Sequence, residues 1–327
     1  MKIGIISVAH MHAYSYISAL QRMDDVEIVG IADDEMERGK EAANHFNIDY
    51  FSNYEDLLAT DVEAVIVTSE NIKHVEHVSA AARAKKHVLC EKPLATTIED
   101  GLKMIDICKE HNVILQTAFP VRFNSSIVRV KNMIDEGKLG RILAVKGTNP
   151  GKNPGGWFLD PSQSGGGAVI DHTVHVVDVM RWIMKSEVSE VYAEIDNLFA
   201  NGPVDDCGIL TMEFDNGVFA TLDCSWSRNE TYPTWGDVTI EFIGTEGTIA
   251  VDAFKQKINV YSEAGLEWDF WGDDMDEGLV RDFIQSIREN REPSITGEDG
   301  LKAVQVALAA YESSENNAPV KVGELKA

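Results

Sequence analysis

Lys2-Ile3-Gly4-Ile5-Ile6-Ser7-Val8-Ala9-His10-Met11-His12 opens the chain with an apolar strand that runs directly into a helix-forming stretch, Ala13–Met23. The same unit recurs. Val26–Ala32 (V-E-I-V-G-I-A) precedes the helical pattern Glu35–Phe46, and Ala64–Thr68 (A-V-I-V-T) precedes His74–Ala84. His87–Cys90, Ile98–His111 and Val113–Thr117 complete the series. Strands this poor in polar residues, separated by single helices, predict a parallel sheet covered on both faces. Right-handed crossovers then make it a doubly wound sheet.

Beyond residue 122 the texture changes. A helix over Ile127–Glu136 is followed by a Gly/Pro/Asn-rich loop, Asn149–Gly167, and by a strongly helical segment, Ala168–Met184. Strands then dominate: Glu190–Asp196, Ile209–Phe214, Val218–Trp226, Val238–Gly244 and Gly247–Val251. Asp215-Asn216-Gly217 and Thr245-Glu246-Gly247 have the composition of hairpin turns. An α+β unit built on an open, mostly antiparallel mixed sheet follows, and helices Asp276–Glu289 and Asp299–Ser313 close the chain.

The 327 residues suit two domains. A net charge of −25, from 54 acidic and 29 basic side chains, opposes binding to nucleic acid or to an anionic membrane surface. No stretch is long and apolar enough to span a bilayer, and the start lacks the apolar core of a signal peptide. Cys90, Cys108, Cys207 and Cys224 are scattered without C-x-x-C spacing, which fits a reducing cytoplasm and neither a zinc knuckle nor a disulfide framework.

In a dinucleotide-binding fold the first strand leads into G-x-G-x-x-G, where glycine admits the pyrophosphate to the helix N-terminus. Here Ser7, Ala9 and His12 hold those three positions, with His10 between them. Ser7 and Ala9 are small enough to keep the turn tight, and the helix N–H groups do not depend on glycine. His10-x-His12 also resembles the metal-binding pair of amidohydrolase barrels, which makes a metal-dependent hydrolase a remote alternative. A third reading has both residues simply capping a helix. Asp33 follows the second strand, where a carboxylate can accept from adenosine ribose hydroxyls and repel a 2′-phosphate, favouring NAD over NADP. Asp33-Asp34 could equally serve as a helix N-cap.

Glu91-Lys92-Pro93 ends the strand His87–Cys90 at the sheet edge where open α/β folds bind ligands. A lysine there can stabilise a developing alkoxide, and elsewhere it would be a solvated charge. Gly165-Gly166-Gly167 introduces a helix on which Asp171 and His175, four apart, share one face among Val169, Ile170, Val174, Val176 and Val177. A carboxylate beside an imidazole suits proton transfer near neutrality. A plain surface pair is the alternative, and His172 could face cleft or solvent.

These stretches together resemble the glucose–fructose oxidoreductase, inositol dehydrogenase and MocA family. Ser69-Glu70-Asn71 with His74 is similar to its T-P-N-x-x-H, with Ser for Thr and Glu for Pro. His87 through Ala95 carries its E-K-P, and Arg122-Phe123-Asn124 is similar to R-F-[DN]-P without the proline. Gly137-Lys138-Leu139-Gly140, Trp157 through Gly167, Asp171-x-x-x-His175, Asn216-Gly217, Ser225-Trp226 and Asp299 through Ser313 follow in order. The resemblance implies an NAD-binding Rossmann domain over residues 1–122 and a substrate-binding, oligomerising α+β domain over 123–297. It also implies a C-terminal helix and tail, 298–327, packing back on the first domain. It implies a homodimer or homotetramer that passes a hydride between NAD and a hydroxyl or keto carbon of a sugar or polyol. Lys92, Asp171 and His175 fall on its catalytic positions: His175 as base, Lys92 on the reacting oxygen, Asp171 orienting His175 or touching substrate. Ser69, Asn71, Glu91 and Lys92 would approach the cofactor, with Asp33 on the ribose and Trp157 near the nicotinamide; no metal is implied. A catalytically silent ligand- or dinucleotide-binding protein of the same fold is the alternative.

Overall fold

The computed structural model describes residues 1–232, 237–263 and 265–325. Two compact units comprise, first, Met1–Pro120, Ser162–Ser164 and Asp276–Leu301, and second, Val121–Pro161, Gly165–Met275 and Lys302–Ala327.

In the first unit, strands β1 (Lys2–Ile6), β2 (Glu27–Ala32), β3 (Tyr50–Phe51), β4 (Ala64–Val67), β5 (His87–Cys90) and β6 (Leu115–Thr117) alternate with helices. Those helices are α1 (His12–Gln21), α2 (Met36–Phe46), α3 (Tyr54–Leu58), α4 (His74–Arg83) and α5 (Ile98–His111). The strands form one parallel sheet in the order β3-β2-β1-β4-β5-β6. Ile3, Ile5 and Ile6 of β1 and all of β4 are buried, as the unbroken apolar runs require of a sheet covered on both faces. Strand order reverses between β1 and β4, which opens a ligand crevice at their carboxyl ends. An open six-stranded sheet is not a barrel, so the hydrolase alternative loses its scaffold.

The second unit begins with α6 (Ser125–Asp135), β7 (Ile142–Thr148), α7 (Pro161–Ser164) and α8 (Ala168–Met184). Strands β8 (Val188–Asp196), β9 (Cys207–Phe214), β10 (Phe219–Asp223), β11 (Thr239–Gly244) and β12 (Thr248–Asp252) follow, then the hairpin β13 (Lys257–Ser262) and β14 (Gly265–Phe270). After α9 (Met275–Glu289) and α10 (Gly297–Asn316) comes β15 (Val320–Lys321). The main sheet runs β12-β11-β7-β10-β9-β8-β15. Only its β7–β10 pairing is parallel; the others are antiparallel. Strand β7, absent from the expected set, lies within this sheet.

The partition differs from the sequence reading at the C-terminus. Asp276–Leu301 groups with the first unit, where Thr117 Oγ1 donates to Thr296 O at 3.0 Å. From Lys302 the chain belongs to the second unit and β15 pairs with β8. A two-residue strand carries too little pattern to be read from sequence. Residues 326 and 327 of the expected tail lie outside the described residues.

Helix α8 is buried along nearly its whole length, from Ala168 to Arg181 and again at Ile183. A Cβ on Gly147 would lie 2.8 Å from Val176 and 2.7 Å from Met180, so glycine in β7 lets the helix settle on the sheet. A buried helix start must satisfy its N–H groups without water. Asp205 does this from a distant loop. Its carboxylate accepts from Gly167 N and Val169 N, both at 2.8 Å, and its carbonyl from Ala168 N at 3.0 Å. Tyr311 Oη donates to Asp205 at 2.7 Å and accepts from Ile170 N at 3.3 Å. A Cβ on Gly167 would fall 1.9 Å from Asp205 O. Gly167→Ala is therefore expected to cost about 1–3 kcal/mol or more, read as a lowered urea midpoint. Gly247→Ala, where a Cβ meets nothing within 4 Å, should stay within about 0.5 kcal/mol of wild type.

Candidate active site

Ser7, Ala9, His10, His12, Asp33, Ser69, Asn71, Glu91 and Lys92 lie in the first unit, at the carboxyl edge of its sheet. Trp157, Asp171 and His175 lie in the second.

The first turn keeps a glycine-like shape without glycine. Ser7 adopts φ 66°, a left-handed conformation costing about 1 kcal/mol or more in a residue with a Cβ. Local bonds hold it. Its O accepts from Thr68 Oγ1 at 2.6 Å, its Oγ accepts from Ala9 N at 3.1 Å, and Asp33 Oδ2 accepts from Val8 N at 2.8 Å. The start of α1 has no side-chain cap.

Asp33 is buried and heavily engaged. Besides Val8 N it accepts from Ser7 Oγ, from Glu35 N at 2.9 Å, and from Arg38 Nε and Nη2 at 3.0 and 2.7 Å. The cap of α2 is Glu35, which accepts from Glu37 N, so neither Asp33 nor Asp34 is the N-cap. Arg38, not singled out in the sequence, reaches this carboxylate from the first turn of α2.

At the β4 end, Asn71 Nδ2 donates to Ser164 O at 2.8 Å, while the buried Asn71 Oδ1 has no hydrogen-bond partner among the described residues. His74 ties two loops together, with Nδ1 3.0 Å from Pro93 O and Nε2 3.2 Å from Ser69 O. His77 Nδ1 lies 2.9 Å from Ser69 Oγ. Burial pulls the His77 imidazole down to about 4, with the neighbouring His74 adding to the shift.

Beyond β5, Glu91 is fully buried among donors: His12 Nδ1 at 3.1 Å, Tyr16 Oη at 2.7 Å and His10 Nε2 at 3.9 Å. Burial alone would raise its pKa, but the charges of His10 and His12 hold it well below the usual carboxylate range. For His12, burial opposes the charged form, yet the charge and hydrogen bond of Glu91 outweigh it and raise the imidazole. The ligand atoms of His10, His12 and Glu91 lie within 4.8 Å of one another, close enough to invite a metal. However, His10 Nδ1 accepts from His12 N at 3.2 Å, so in neutral His10 the proton sits on Nε2, the nitrogen a metal would need bare. Lys92 is buried beside Glu91 and precedes a cis peptide bond to Pro93.

In the second unit, Asp171 is buried and held by Trp226 Nε1 at 3.2 Å and His172 Nε2 at 3.3 Å. His172, left open by the sequence, is buried. His175 is also buried, one turn beyond Asp171, and Asp178 continues the same i, i+4, i+7 stripe. There Arg122 Nε and Nη2 grip Asp178 in a bidentate pair, both at 2.6 Å, fixing the rotation of α8. Trp157 is half-buried and stacked on Phe158 at 3.8 Å.

The first unit is thus a dinucleotide-binding unit by fold, with its polar residues at the strand-order switch. Family models agree: residues 1–119 match the oxidoreductase-family, NAD-binding Rossmann fold model and residues 127–250 the GFO/IDH/MocA C-terminal domain. An uncharacterised oxidoreductase, YrbE, of Bacillus subtilis is 30% identical over 94% of this chain and 92% of its own. A myo-inositol 2-dehydrogenase of Thermotoga maritima is 30% identical over 99% of both chains. The crystal structure of a probable dehydrogenase from Thermotoga maritima is 28% identical, with a TM-score of 0.86 over 98% of this chain and 99% of that one. The chain belongs to the GFO/IDH/MocA family of oxidoreductases, and its cofactor is NAD.

Two outcomes follow from the geometry. Arg122→Met should cost about 3–5 kcal/mol in urea unfolding because it strands a buried carboxylate, and adding Asp178→Leu should recover most of the loss. His77 has a folded pKa below its unfolded value of 6.5, so it stays neutral while the unfolded chain takes up a proton. Its contribution to stability is intact above 6.5 and is lost as pH falls towards 4, by up to about 3 kcal/mol. His77→Asn should shrink the drop in urea midpoint between pH 7 and pH 5 relative to wild type.

Proposed function

We propose that this chain oxidises a secondary hydroxyl of a sugar or polyol and reduces the matching ketone, with His175, Lys92 and Asp171 as its catalytic residues. The observation carrying this reading is the buried stripe of Asp171, His175 and Asp178 on a helix whose buried surface is mostly apolar, anchored by Arg122. Ionisable groups are rarely kept in such surroundings without a use for them.

The residues at the sheet edge fit NAD: Asn71 Oδ1 is buried without a hydrogen-bond partner among the described residues, Ser7 holds a glycine-like turn, and the α1 start is uncapped. Ser7, Ala9, His10 and His12 would line the pyrophosphate turn, Ser69, Asn71 and Glu91 the nicotinamide end, and Asp33 the adenosine ribose. Trp157 would shield the nicotinamide. When bound, NAD supplies the hydride acceptor.

His175 removes the proton of the substrate hydroxyl, a task matched to an imidazole near neutral pH. Lys92 donates a hydrogen bond to the same oxygen and stabilises its developing negative charge. Asp171, fixed by Trp226 and His172, orients the substrate or the base. The myo-inositol 2-dehydrogenase relative supports a ring-shaped polyol as the first substrate to try. We assign the protein to the cytoplasm, where the described cysteines would remain thiols. A homodimer or homotetramer is favoured by the open sheet face on which Phe219 and Ile243 flank Ala144, all in register.

A panel of cyclic polyols, sugars and glycosides, followed by NADH absorbance, tests this. His175→Ala should lower kcat about 10²–10⁴-fold. Lys92→Ala should lose about 10²–10³-fold, and the double variant should be little worse than the poorer single one, as for groups acting on one oxygen. Turnover of the best substrate by His175→Ala at the wild-type rate would exclude the assigned base.

A further inference from the structure

Three carboxylates converge on one guanidinium where β1, β2 and β4 end. Arg38 holds Asp33 with Nε and Nη2, reaches Glu70 Oε1 with Nη1 at 3.3 Å, and donates from Nη2 to Ser7 Oγ at 3.4 Å. Asp34 lies 3.6 Å from Nη2. Lys73 closes the cluster, 2.8 Å from Asp34 Oδ2 and 3.1 Å from Glu70 Oε2. Asp33 and Glu70 are buried, so the pairs these two make with Arg38 are poorly screened by solvent, whereas Asp34 is exposed. With Asp33, Asp34 and Glu70 ionised against Arg38 and Lys73, the cluster carries one net negative charge. Glu70 stands where the family segment carries proline, a residue that could not engage Arg38.

The carboxyl end of β2 is where this fold meets the adenosine ribose. The two forms of the cofactor differ there by a phosphate dianion, and a guanidinium is the side chain best matched to phosphate oxygens. We propose that Glu70 is a second cofactor-selecting residue: by engaging Arg38 with one oxygen and Lys73 with the other it denies a 2′-phosphate both cations of the cluster, so the site takes NAD and refuses NADP. Asp33 alone would repel the phosphate but leave the Nη1 edge of Arg38 open to turn towards it. Glu70 covers that edge. The proposal rests on the NAD-dependent reading above and adds the residue that enforces it.

The test is fluorescence titration of the whole protein with NADH and with NADPH. Glu70→Gln keeps the shape and removes the charge, and Glu70→Ala removes the clamp; circular dichroism checks that both fold. Both should tighten NADPH binding by about tenfold or more while NADH affinity changes less than about twofold. Glu37→Gln, which neutralises an exposed carboxylate beside Arg38 on α2, should change neither. No gain for NADPH in either Glu70 variant would overturn the proposal, as would an equal gain in Glu37→Gln, since that would reveal only the general negative field. If wild type binds neither nucleotide, the cofactor site itself is wrongly assigned, a failure distinct from unaltered selectivity in a protein that binds NADH.

Discussion

A helix start buried in protein has to find partners for several N–H groups at once, and the placement of α8 rests on that constraint. Asp205 and Tyr311 meet it from parts of the chain remote in sequence, one from the loop before β9 and the other from α10. Because a carboxylate and a carbonyl of the same residue serve three successive amides, the helix axis is fixed at its origin. Arg122 fixes its rotation at Asp178, nearly three turns along. Between these anchors lie Asp171 and His175, whose directions are set before any ligand arrives. Such pre-organisation is what the proton transfer proposed for His175 requires.

The parallel sheet was legible because apolar strands and amphipathic helices alternate over the first 120 residues, and each period is local. The stripe of Asp171 and His175 was legible for the same reason, since a spacing of four within an apolar helix defines a face. Strand β7 has a fair strand signal in Ile142-Leu143-Ala144-Val145, but Gly147 and the glycine-rich loop that follows dilute it. Arg38 went unread because nothing in its own surroundings marks it. Its partners Asp33 and Glu70 come from the turns after β2 and after β4, and only folding brings them together. The roles of Asp205 and Tyr311 are invisible for the same reason, being defined by where a helix begins in space. His172 could not be oriented from its quarter-turn offset, and packing against Trp226 and Gly151 settled it.

Charge is unevenly deployed. The chain carries −25 overall, yet its buried carboxylates are each met by specific donors: Asp178 by Arg122, Glu91 by His12 and Tyr16, Asp33 by Arg38 and backbone amides. The excess therefore resides on the surface, where water solvates it cheaply and where it keeps molecules apart. Inside, satisfied networks of this kind confer rigidity, and breaking one member costs more than the pair was worth.

Ser7 illustrates how one substitution redistributes constraint. With serine where this fold ordinarily has glycine, the turn is held in part by Asp33, whose carboxylate accepts from Val8 N and Ser7 Oγ. In the proposed function the same carboxylate meets the nucleotide's ribose, which would make turn geometry and nucleotide choice one inherited unit. A lineage drifting towards another nucleotide would find the familiar route through Asp33 closed, since change there would loosen the first turn as well. Its accessible evolutionary path would run through the periphery of the cluster, where side chains can vary without unmaking the fold.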